Sequence, residues 1–198
     1  MASDARGLPN DGVDLYWIPL GSGAGGALVR QSGRVYEAVA AAFARRDRCT
    51  LFHSALAVHL GGVTSAIEMA PVWTKQGDRG TVAEGAVGAR FLGRSRCFRY
   101  EVRCWRGGSI PDVGAAVGGP VRVTVDPGRA RRVLDLVGDF PMCTWGRDEL
   151  GAGEMWNSNS LVSWLLVRAG VATEGLRPPL GGRAPGWDAG VVAASRAS

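Results

Sequence analysis

Two adjacent glycines set between alternating apolar runs constrain this chain more than any other feature of it. Residues 49–71 read CTLFHSALAVHLGGVTSAIEMAP. Before the glycines, Phe52, Leu56, Val58 and Leu60 share one side of an extended strand, and His53, Ala55, Ala57 and His59 share the other. A Gly-Gly pair accepts the positive φ angles of a tight turn, so residues 63–69 are expected to return as the antiparallel partner. A two-residue turn pairs Leu60 with Val63, and hence His53 with Ala70. Glu68 then lies one or two positions along from the residue opposite His53.

Other elements are set around this hairpin. Residues 13–20 (VDLYWIPL) read as a first strand stopped near Pro19. The GSGAGG that follows lacks both a GK[ST] ending and a full GxGxxG, and reads as a loop rather than a phosphate cradle. Ser32 is placed to cap a helix over residues 33–46. Residues 74–96 read as a long connection. Residues 98–105 (FRYEVRCW) form a strand with Phe98, Tyr100, Val102 and Cys104 on one face. A further strand is expected at 121–125, a short helix at 129–137 and a strong helix at 156–169 ended by Gly170. The expected organisation is a leader at 1–12, one α+β domain at 13–170 and a Pro/Gly-rich tail at 171–198.

Composition narrows the function. The net charge of +5 is carried almost wholly by arginine, and no basic repeat interleaved with aromatics or other nucleic-acid motif occurs. A solvated basic surface, with no nucleic-acid partner, is the expectation. No run of 18 or more apolar residues occurs, so no integral membrane segment is expected, and residues 1–10 lack the apolar core of a signal peptide. The four cysteines have no CxxC or zinc-like spacing, and free thiols, no metal, no cofactor and a cytoplasmic location are the expectations.

The 156–169 helix opens on Trp156-Asn157-Ser158-Asn159-Ser160-Leu161. Together with HSALAVHLGGVTSAIEMAP, this order of motifs resembles circularly permuted NlpC/P60 proteins, a group that includes lecithin:retinol-acyltransferase-like enzymes. Their hairpin runs H-x-G-I-Y-x-G-x-G-x-V-I-E-A, and their nucleophile opens a later helix in a motif like N-C-x-x-F. The resemblance covers roughly residues 50–70 and 155–167. It implies a papain-like fold, an antiparallel sheet packed against helices. It also implies an amide or ester hydrolase or acyltransferase acting on a small-molecule or peptide substrate. His53 would be the general base, Glu68 the group that orients its ring, and Ser158 would stand where the family has cysteine.

The chemistry of these residue types has its own logic. A nucleophile needs a base within hydrogen-bond reach, usually held by a third group. The free N–H groups at a helix start, near Asn157 and Asn159, can stabilise an oxyanion. They depress a thiol's pKa into the neutral range, but leave a serine hydroxyl protonated and dependent on its base. Structural alternatives stand beside each assignment. Asn157, Ser158 and Asn159 suit capping alone. Ser160 and Cys143 are alternative nucleophiles, His53 can be a satisfied structural histidine, and Glu68 can pair with an arginine. His59 lies roughly 20 Å along the strand from His53, outside the same triad. Trp145, Trp156 and Trp164 flank the helix start as candidate pocket walls, with Trp164 favoured for the core. A binding module that keeps the cleft without the thiol is the competing function, and an unrelated α+β protein in which the hairpin likeness is accidental is the third reading.

Overall fold

The computed structural model describes residues 10–22, 37–38, 41–42, 45–72 and 80–196. Strands β2 (Thr50–Leu60) and β3 (Val63–Pro71) form the hairpin, with Leu60 opposite Val63. Gly61 and Gly62 have φ of 58° and 75°, the left-handed pair that a two-residue turn between twisted strands requires. Strand β1 (Gly12–Pro19) runs antiparallel to β2 with Ile18 opposite His53. Strands β4 (Thr81–Ala86), β5 (Arg99–Arg106) and β6 (Val121–Thr124) complete the order β4-β5-β3-β2-β1-β6, all antiparallel. The short β7 (Gly182–Arg183) pairs in parallel with the start of β2.

The alternation foreseen for β2 is kept. Phe52, Leu56 and Val58, with Leu15 and Ile67 from the flanking strands, form the main core against the helices. Ala55, with Ile18 and Ala66, faces the other way and packs under Ile110. Helix α1 (Pro127–Asp135) begins two residues before its expected start: Asp126 caps it by accepting from Arg129 N at 2.6 Å, and Pro127 supplies the fixed φ of a first turn.

Helix α2 (Ser158–Arg168) is buried along its first nine residues, so it sits inside the molecule rather than on its surface. The sheet takes one side of it. Helix α3 (Trp187–Arg196) takes another, and Gly190 allows the close approach, since a Cβ there would run into Ser163 Oγ and the Ser160 carbonyl. Each fully buried Leu or Val of α2 contributes about 1.5–3 kcal/mol of hydrophobic stabilisation.

Several expectations from sequence are corrected here. The segment after residue 170, read as a Pro/Gly-rich tail, carries β7 and α3, and Trp187, Ala189 and Ala194 are part of the core. Residues 81–86 form a strand within the stretch read as a connection. Phe98 belongs to a 3-10 turn and is 43% exposed, while Tyr100 and Val102 hold the inward face of β5. The GSGAGG loop, the leader and the 33–46 helix fall largely outside the described residues, although 37–38 and 41–42 are helical.

Candidate functional site

The start of α2 is built by its neighbours in sequence. Asn157 is extended, and its side chain accepts from Asn159 N at 2.8 Å and from the Ser160 backbone, while Ser160 Oγ accepts from Asn157 N at 3.1 Å. This is a reciprocal capping box. Asn157 Nδ2 also donates to the Pro185 carbonyl, and Ser160 Oγ to that of Gly186. Asn159 ties the helix to the sheet: it accepts from Ser54 Oγ at 2.9 Å and donates to Phe52 O and Pro185 O. Capping and tethering therefore account for Asn157, Asn159 and Ser160, but not for Ser158.

Ser158 instead borders a cleft of about 310 Å³ at the end of the sheet where β2 begins. His53 lines the same cleft, with Leu51, Phe52, Val87 and Trp145 among its apolar walls and, among the described residues, no Asp, Glu, Lys or Arg in its lining. Trp145 is held there by a bridge to the end of β4, with Trp145 N donating to Ala86 O and Gly88 N to Trp145 O. Among the described residues, neither the Ser158 hydroxyl nor its backbone N–H has a partner, and none bonds the His53 ring. Ser158 is buried and His53 half-buried. Burial lowers the His53 pKa to about 4, so the imidazole is neutral near pH 7.

The structure does not join these groups into a triad. Ser54, the next residue along, reaches Asn159, so the pleat turns His53 toward the opposite face with Ile18. The two residues share a cleft without a hydrogen bond between them. Continuing the hairpin register puts Glu68 opposite Ala55 and diagonal to His53, on the same face. Its carboxylate accepts from Arg103 Nη1 at 2.9 Å, and Arg103 Nη2 donates to Glu101 at 2.6 Å.

The remaining candidates have structural places. Trp156 is buried and stacked on Phe140, with ring centroids 4.9 Å apart, and Trp164 meets the same phenyl ring edge-on. Burial pushes the Cys143 thiol pKa up, and Cys143 does not line the cleft. His59 bonds Asp14 at 3.0 Å and Thr64 at 2.9 Å, far along β2 from His53. Among the described residues, no group of three His, Cys, Asp or Glu side chains is placed to hold a metal ion, and no helix is long and apolar enough to cross a membrane.

Sequence reasoning missed Val87, Gly88 and Pro185 as cleft walls. They come from connecting segments whose only local signal is a Gly or Pro. The chain matches no model of a known protein family, no characterised protein and no solved structure among those it was compared with.

Proposed function

We propose that this protein is a binding module on a papain-like plan whose cleft takes a neutral, largely apolar ligand. The observation that carries this reading is the pairing of an open apolar cleft with an incomplete catalytic set. Ser158 and the neutral His53 offer one hydroxyl, one backbone N–H and an imidazole to a ligand carbonyl or hydroxyl. A few polar groups within apolar walls is the usual composition of a small-molecule site. A charged ligand would lose its hydration here without gaining a counter-ion from the described lining residues.

The experiment is calorimetric titration with a neutral medium-chain amide and the carboxylate of equal length. The amide binds and the carboxylate binds at least about tenfold more weakly. Met155 also lines the cleft, and Met155→Trp, which adds bulk there, abolishes binding. Equal affinity for both ligands, or binding unaffected by Met155→Trp, refutes this reading.

A second reading, amide or ester hydrolysis or acyl transfer with Ser158 as nucleophile, is favoured by one observation: the unclaimed Ser158 hydroxyl shares its cleft with a neutral imidazole. It requires His53 to swing toward Ser158 when substrate binds. Fluorophosphonate labelling that both Ser158→Ala and His53→Ala abolish would establish it. Absence of labelling leaves the binding module as the reading.

A further inference from the structure

Beside the cleft wall formed by Val87 and Gly88, the chain makes two successive 3-10 turns, Arg90–Arg94 and Arg96–Phe98, neither of which buries a residue. Phe91 is 71% exposed and Phe98 43%. Solvent-facing phenyl rings leave apolar surface in water, and covering it is favourable. Gly93 lets the first turn lie flat on β4, because a Cβ there would press on that of Ala86.

The charge of this surface is one-sided. Residues 87–100 contain four arginines and no aspartate or glutamate. Arg90 is matched by Glu149 and Arg99 by Glu84. Arg94 and Arg96 are exposed, and their guanidiniums have no ion-pair or hydrogen-bond partner among the described residues. Two exposed rings and two unmatched guanidiniums within eight consecutive residues suit a boundary that is apolar inside and anionic at its surface.

We propose that this surface docks the protein on an anionic lipid bilayer, with Phe91 and Phe98 entering the headgroup boundary and Arg94 and Arg96 meeting lipid phosphates. Leu92, half-buried, follows the first ring in sequence and Cys97, exposed, precedes the second. Nucleic acid is the competing occupant. The inference does not depend on what the neighbouring cleft binds, although docking here would hold that side of the cleft close to the membrane.

Vesicle flotation tests it, using phosphatidylcholine alone, phosphatidylcholine with about 30% phosphatidylglycerol, and a single-stranded RNA oligomer in parallel. The protein floats with the anionic vesicles, and binding weakens as salt rises. Arg94→Glu with Arg96→Glu lowers vesicle affinity at least about thirtyfold, from about fivefold per cation near the surface. Phe91→Ser lowers it at least about tenfold. The control pair Arg129→Glu with Arg131→Glu, exposed on α1, makes the same change in net charge and alters affinity by no more than about twofold. Melting curves of all variants confirm folding. The proposal is overturned if the anionic vesicles are not bound, if the control pair weakens binding as much as the first pair, or if only RNA is bound and the same variants release it.

Discussion

Glu68 and Arg103 face each other across β3 and β5 at 2.9 Å, with the guanidinium 3% and the carboxylate side chain 10% exposed. The arginine is shared with Glu101. A carboxylate held this way is a structural counter-ion.

Removing Glu68 takes one of two carboxylate partners from the buried Arg103 guanidinium and leaves Glu101. Glu68→Ala is therefore expected to lower unfolding stability by about 2 kcal/mol, measured by urea denaturation. Adding Arg103→Met recovers part of the loss. A stable Glu68→Ala protein with altered Ser158 reactivity would instead identify Glu68 as a positioning group.

His53 predicts a pH dependence. Its folded pKa of about 4 lies below its ordinary 6.5, so the unfolded state binds more protons between these values. Stability from this residue is full above about pH 6.5 and is lost as pH falls toward 4, by about 2 kcal/mol between about pH 7.5 and about pH 5. His53→Gln flattens that part of the profile. Glu37, which the Arg46 guanidinium holds at about 2, acts in the same direction but only below its ordinary 4.5.

Ser158 and Asn159 are neighbours with opposite expectations. Asn159→Ala strips partners from Ser54 and two backbone carbonyls and costs about 2–4 kcal/mol. Ser158→Ala removes a hydroxyl with no partner among the described residues and changes stability by less than about 0.5 kcal/mol. Chemical denaturation of the two variants checks this, and a large Ser158→Ala loss would show that the hydroxyl is structural.

Gly190 sets the spacing of α2 and α3. Gly190→Ala forces its Cβ against Ser163 and the Ser160 carbonyl, and overpacking is expected to outweigh the gain in helix propensity, for a net loss of about 1–3 kcal/mol. Gly175→Ala, where a Cβ meets open space, is the comparison and changes stability by less than about 0.5 kcal/mol in the same thermal melts.

The hairpin was legible because two signals agreed: period-two alternation fixed the faces and Gly61-Gly62 fixed the turn, giving Leu60 opposite Val63. The start of α2 was legible from its caps. Helix α3 was not, because WDAGVVAAS puts a glycine mid-helix among small residues and follows a Pro/Gly run. Its helical state comes from packing on α2, a tertiary cause with no local trace. The identity of the buried pair was hidden similarly. Sequence offered Glu68 an arginine or a histidine, and only the order of strands, with β5 beside β3, brings Arg103 opposite it.

The bond between Ser54 and Asn159 joins residues 105 apart in the chain. Closing loops of that length precedes any reward from the contact, which slows folding relative to chains built from local pairings. The cleft draws its walls from Leu20 to Pro185, so no early hairpin or isolated helix contains it. The whole site is present only when all of these segments have docked. A ligand that fits the cleft therefore acts as a selective pull on the finished fold, raising the melting temperature with its concentration.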